Sequence, residues 1–166
     1  ATSSNVQTFI PGDVNGDGLD DLLLLDRLNG QALLILTDYP LIEAANRWRM
    51  EPDVWFDFTG RSGAGIGDVS LVGDINHDGY DDIALSSMNE TGDAGVGALF
   101  LFLGGATLKP VLTPEDAELS FIRDAAVDLA PDEYFEGILQ ATAGDFNDDG
   151  EMDLAIGETY RVLKVG

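Results

Sequence analysis

The chain has 166 residues, 45% hydrophobic and 23% charged, which is enough apolar content to bury the core of one globular unit. Its 31 acidic residues face 8 basic ones, a formal charge of -23 that opposes binding to nucleic acid and insertion at anionic membranes. Without cysteine there are no disulfides, thiolate metal sites or thiol nucleophiles, and the single histidine, His77, limits acid-base catalysis.

In chain order, the opening "ATSSNVQTF" lacks the basic and apolar regions of a signal peptide, so any export signal is expected to have been cut away or to lie outside this sequence. No apolar run reaches the roughly 20 residues that span a bilayer. "GDVNGDGLDDLLLL" then begins at Gly12, and the turn residues "RLNG" lead to a second apolar run, "QALLIL". Runs of this length and composition, punctuated by turn residues, predict paired strands of an antiparallel sheet. "PLIEAANRWRM" from Pro40 reads mainly as an outer strand with a short helical turn.

The same order returns. "GDINHDGYDDIAL" begins at Gly73, and "NETGDAGVG" separates it from "GALFLFL"; "PEDAELSFIRDAAVDLA" from Pro114 is again read as an outer strand with a helical turn. "GDFNDDGEMDLAIG" begins at Gly144, and a turn at Gly157 and Glu158 is expected before a further run, "YRVLKV". All three loops fit G-D-x-N-x-D-G-x-x-D, with first aspartates Asp13, Asp74 and Asp145 spaced by 61 and 71 residues.

Self-similarity at this period predicts an all-β chain of antiparallel four-stranded blades, an open or partial β-propeller of about two and a half repeats. The repeats are placed at about 1–52, 53–113 and 114–166 within one segment spanning 1–166.

A hard divalent cation such as calcium takes six to eight oxygen ligands, and alternate loop positions 1, 3, 5, 7 and 9 converge them, position 7 through its backbone carbonyl. The candidate ligands are Asp13, Asn15, Asp17, Leu19 and Asp21 in the first loop, and Asp74, Asn76, Asp78, Tyr80 and Asp82 in the second. The third supplies Asp145, Asn147, Asp149, Glu151 and Asp153. Gly18, Gly79 and Gly150 occupy position 6, where the chain must turn sharply. A polar turn without metal would explain one such loop, but three at fixed internal spacing favour three calcium ions. A helical calcium hand is excluded, because position 12 is Leu24, Leu85 or Ile156 instead of glutamate and no helix follows.

These residues resemble the FG-GAP repeat family, whose calcium-loop blades build integrin α-chain propellers and occur in bacterial surface and secreted proteins. "FTGRSGAGIGDVSLVGD" from Phe58 and "YFEGILQATAGD" from Tyr134 are similar to the family's opening strand, and "GALFLFLGG" from Gly97 to its later one. Ser86-Ser87 and Gly157-Glu158 stand where the family has Gly-Ala-Pro, and the first repeat has no Phe-Gly start. The resemblance implies a non-catalytic, extracellular or cell-surface module for adhesion or recognition of a protein or carbohydrate ligand. Family propellers usually close with seven blades, so a longer parent protein, or self-association through exposed sheet edges, is expected.

Catalytic alternatives rest on less. His77 sits at position 4, a non-ligand position expected to point outward, and no nucleophile-elbow sequence surrounds Ser86 or Ser87. Glu43, Glu51, Glu90, Glu115, Glu118, Glu133, Glu136 and Glu158 leave a glycosidase-type carboxylate pair open, with solvated surface acids as the default. Trp48 and Trp55 could stack on a sugar or on a partner's arginine, although burial is the commoner fate of tryptophan. The alternative function is the scaffold or substrate platform of a secreted enzyme, a polysaccharide lyase or phospholipase-type hydrolase.

Overall fold

A computed structural model describes residues 6–26, 29–37, 51–58, 65–88, 97–122 and 133–164. Its strands in chain order are β1 (Val6–Gly12), β2 (Asp21–Asp26), β3 (Gln31–Ile35), β4 (Val54–Phe56), β5 (Gly65–Gly73), β6 (Asp82–Met88) and β7 (Ala98–Phe102). They are followed by β8 (Val111–Leu112), β9 (Leu119–Ile122), β10 (Glu133–Gly144) and β11 (Asp153–Lys164). The first sheet has the order β1-β2-β3-β4-β8, the second β5-β6-β7-β9, and the third is the hairpin β10-β11. The fold is all-β, and the described sheets do not close into a ring.

The second sheet lies between the other two, and strand geometry explains how. Successive side chains point to opposite faces. Ile83, Leu85, Phe100 and Phe102 therefore join Leu23, Leu25, Leu34, Val54 and Phe56 in one core, between the first and second sheets. Their neighbours Ala84, Leu99 and Leu101 turn the other way, onto Leu139 and the partly buried Ala141, Ala143 and Leu154 of the hairpin. Because both faces of the second sheet are covered, every residue of β7, "ALFLF", is buried. Edge-to-face ring pairs, Phe56 with Phe102 and Phe58 with Phe100, each at 5.3 Å between centroids, fix the packing of the larger core.

Three features depart from or refine the sequence reading. The segment from Pro114 forms a single 3-10 turn, Pro114–Asp116, and then the outer strand β9, paired with β7; its residues 123–130, and residues 40–50, lie outside the described residues. Among the described strands antiparallel pairing has one exception, because β8 reaches back from the second unit and lies parallel to β4. There Pro110 and Leu112 carbonyls accept the Trp55 and Asp57 N–H groups, which would otherwise form an open edge. The turn expected at Gly157 and Glu158 is corrected: β11 runs through it without a break, since β10 offers a partner for every residue from Asp153 to Lys164.

The sheets are offset from the sequence period. β4 pairs with β3, and β9 with β7, so the fourth strand of each of these sheets follows the repeat boundary placed at 52/53 or 113/114.

Candidate functional site

Each acidic loop is the connection of a hairpin: residues 13–20 join β1 to β2, 74–81 join β5 to β6, and 145–152 join β10 to β11. Register pairs Gly12 with Asp21, Gly73 with Asp82 and Gly144 with Asp153 close the loops. Strand pairing thus holds the last residue of each candidate site, and the glycine just before its first, before any ligand is considered.

Inside the loops one hydrogen-bond pattern recurs. In the first, the Asp17 N–H donates to Asp13 Oδ1 and Asn15 Oδ1, both at 3.0 Å, and the Gly18 N–H donates to Asp13 Oδ2 at 2.9 Å. The Leu19 N–H donates to Asp17 Oδ1 at 2.8 Å, and Asn15 Nδ2 donates to Asp17 Oδ2 at 3.1 Å. In the second loop the Asp78 N–H donates to Asp74 Oδ1 and Asn76 Oδ1, Gly79 to Asp74 Oδ2, and Tyr80 to Asp78 Oδ1. In the third, Asp149 donates to Asp145 and Asn147, Gly150 to Asp145, and Glu151 to Asp149. Backbone N–H groups so directed hold the Asp145 carboxyl below the usual carboxylate range, the Gly150 N–H most of all.

Positions 1, 3 and 5 therefore gather around shared N–H donors on the exposed side of each loop. Position 9 does something different. Asp21 is fully buried, with Oδ2 accepting from the Val14 and Asn15 N–H groups and Oδ1 from Thr37. Asp82 is buried in the same way, accepting from Ile75 and from Gly104. Asp153 accepts from Phe146. Burial raises the Asp21 pKa to about 6 against the opposing pull of its three N–H donors, and it raises Asp82 as well.

This division fits a finding on the whole: among the described residues no three His, Cys, Asp or Glu side chains form a group that could hold a metal ion. In the first two loops the last aspartate is drawn beneath the loop to clamp the backbone, whereas Asp153 is only partly buried. The donors nevertheless suit a hard cation, because they are carboxylate and amide oxygens without nitrogen or sulfur, and each oxygen of Asp13 and Asp74 keeps a lone pair beyond the N–H it accepts.

Left-handed backbone occurs twice per loop. Position 6 is glycine throughout, Gly18, Gly79 and Gly150, with φ between 84° and 93°. Position 4 is Gly16, His77 and Asp148, with φ of 73°, 60° and 63°. His77 points outward, 51% exposed, with Nε2 at 3.6 Å from Glu151 Oε2 of the third loop.

Among the described residues the catalytic alternatives gain no constellation. Ser86 and Ser87 are buried in β6, and Ser86 Oγ is the only buried side-chain oxygen or nitrogen among the described residues without a partner. Glu51, Glu115 and Glu118 are exposed, whereas Glu43, Glu90 and Trp48 lie outside the described residues, as do the side chains of Glu133, Glu136 and Glu158. Trp55 is 40% exposed on the outward side of β4.

One residue that sequence reasoning passed over is Asp81, at position 8. Its Oδ2 accepts the Asp13 N–H at 3.0 Å, and its own N–H donates to the Asp13 carbonyl at 2.9 Å. The Asp-Asp doublet at 20–21 and 81–82, replaced by Met-Asp at 152–153, was the available signal.

Residues 67–102, from β5 to the end of β7, match the FG-GAP repeat family. The chain is 39% identical over 100 residues to integrin alpha-PS5 of Drosophila melanogaster, covering 58% of the chain and 9% of that integrin. It is 27% identical over 164 residues to integrin alpha-D of Homo sapiens, covering 91% of the chain and 13% of the relative. The chain thus spans a small part of the length of the relatives it matches.

Proposed function

We propose, from an FG-GAP repeat in the second unit and integrin α similarity along the chain, a calcium-binding, non-catalytic segment of a β-propeller. The observation that carries the reading is the threefold recurrence of one loop with the same hydrogen bonds at the same positions. Asp13, Asn15 and Asp17, with the Leu19 carbonyl and Asp21, would hold one calcium ion. Asp74, Asn76, Asp78, Tyr80 and Asp82 would hold a second, and Asp145, Asn147, Asp149, Glu151 and Asp153 a third. A bound cation supplies the positive charge that offsets the mutual repulsion of the loop carboxylates.

Exposure at position 2 supports a radial array extending past the third sheet. Val14 is fully buried, with its carbonyl accepting the Gly105 N–H, and Ile75 is partly buried against the hairpin. Phe146 is 61% exposed, where a following sheet would pack.

The role is adhesion or recognition of a protein or carbohydrate ligand, as part of a larger protein outside the cell or at its surface, by analogy with the integrins it resembles. No helix among the described residues is long and apolar enough to cross a membrane. The test of the calcium reading is thermal melting with chelator, then with calcium or magnesium added back. Calcium is expected to restore the melting temperature more than magnesium does, and unchanged melting under all three conditions would sink the reading.

A further inference from the structure

We infer that Asp81 is a positioning residue that ties the first loop to the second, so that these two order and load as a pair while the third acts independently. The inference rests on the calcium reading for its binding arm. Asp81 contributes no position of the ligand pattern, yet it grips the backbone of Asp13, the first position of the neighbouring loop, at both its N–H and its carbonyl.

The grip is close-packed. A Cβ built on Gly12 would come within 2.7 Å of Asp81 Oδ2, and one on Gly16 within 2.5 Å of the Tyr80 ring. The segment after β7 adds a second tie: the Gly105 N–H donates to the Val14 carbonyl, while the Gly104 N–H donates to Asp82 Oδ1. A Cβ at Gly104 would collide with both loops, at 2.5 Å from the Asp81 carbonyl oxygen and 2.8 Å from that of Val14. The first loop therefore has little room to shift unless the second moves with it.

Between the second and third loops the situation differs. Position 8 of the third loop is Met152, whose thioether is only a weak acceptor and carries no carboxylate for an N–H of the second. The ion pair between those two loops joins His77 and Glu151, 51% and 77% exposed, and solvent weakens such a pair. Coupling free energy passes through contacts whose arrangement both sites bias, so loops one and two share it and loop three does not.

The test follows calcium titrations at the amide resonances of Gly18, Gly79 and Gly150, one reporter for each loop. Asp17→Ala disables the first loop and Asp149→Ala the third. Asp17→Ala is expected to weaken calcium binding at the second loop roughly five-fold or more, the lower range of measured couplings. Asp149→Ala should leave it within about two-fold, inside the ordinary error of additivity. In the Asp81→Ala protein the effect of Asp17→Ala should vanish. Equal effects from the first and third loops, or an effect that survives Asp81→Ala, would overturn the inference.

A second arm needs no cation. In chelator, Gly79→Ala strains the second loop at φ 93° and should speed hydrogen exchange at the Asp17 and Gly18 amides. Exchange in the first loop that ignores Gly79→Ala would reject the coupling. If no loop binds calcium the proposed function falls, and this arm alone decides the role of Asp81.

Discussion

Gly16 of the first loop lies against the ring of Tyr80 in the second, so closely that a Cβ on Gly16 would stand 2.5 Å from Cε1 and 2.8 Å from Cδ1. Left-handed backbone alone does not require glycine there, since His77 and Asp148 adopt the same conformation in the sister loops. The neighbour does. Gly16→Asn should therefore destabilise the protein by about 1–3 kcal/mol, the range for overpacking. In the Tyr80→Ala background the same change should cost distinctly less. Denaturant unfolding of the four proteins of this cycle measures the difference, and equal costs in both backgrounds would refute the steric account.

Asp21→Asn tests the clamp beneath the first loop. An amide has one acceptor oxygen, whereas Asp21 accepts on both sides, from Thr37 on Oδ1 and from Val14 and Asn15 on Oδ2. Whichever way the amide faces, it sets N–H against N–H in a buried site, at about 1–3 kcal/mol for an unsatisfied group. The loss should be seen by thermal melting in chelator, which separates the clamp from any role in holding a cation. Full stability of Asp21→Asn in chelator would reject it.

How much of this was legible in the sequence depends on whether the determining contact is local. The pattern of alternate oxygen donors, the turns at Gly18, Gly79 and Gly150 and the strands after each loop lie within a few residues, so periodicity and turn chemistry expose them. The coarse all-β architecture followed. Asp81 was hidden because its partner, Asp13, is 68 residues away. Ligand spacing also does not show that Asp21 is buried and accepts backbone N–H groups from Val14, Asn15 and Thr37. The break expected at Gly157 failed for a related reason: glycine in isolation signals a turn, but pairing with Gln140 on a long partner strand keeps it extended.

Removal of calcium should lower stability by mass action. A site saturated to about a hundred times its dissociation constant contributes about 2.7 kcal/mol, so loss of even one site is measurable. Asp74→Ala removes the acceptor of the Asp78 and Gly79 N–H groups and a candidate ligand together. Its melting temperature should respond less to calcium than that of the parent. An identical calcium response in both proteins would argue against the second loop as a site.

Ser86→Ala should stabilise the protein or leave it unchanged, in contrast to most core substitutions. The side chain is buried in β6 and its Oγ has no partner, so the hydroxyl is desolvated without compensation. Removing it recovers up to about 1–3 kcal/mol and adds only a cavity the size of one oxygen. The check is denaturant unfolding at neutral pH. A loss above about 1 kcal/mol would show that the hydroxyl is bonded, since that is the net worth of a typical hydrogen bond.

Acid should act on the segment that leads into β9 in a defined window. Lys109 donates to the Asp116 carboxylate, and the Thr113 N–H and Oγ1 donate to Oδ2, which together lower the Asp116 pKa from 3.8 to about 2, Lys109 most strongly. The folded state thus binds its proton later than the unfolded one as pH falls. The stabilisation is complete above 3.8 and disappears as pH drops through about 2. In chelator, the stability difference between the parent protein and Asp116→Asn should be constant at neutral pH and shrink across that interval. Lys109→Met should move the Asp116 titration, followed by carboxyl carbon resonance, upward toward the ordinary value. A titration unmoved by Lys109→Met would show that the Thr113 bonds alone hold the carboxylate, and the ion pair would lose its part in fixing the turn.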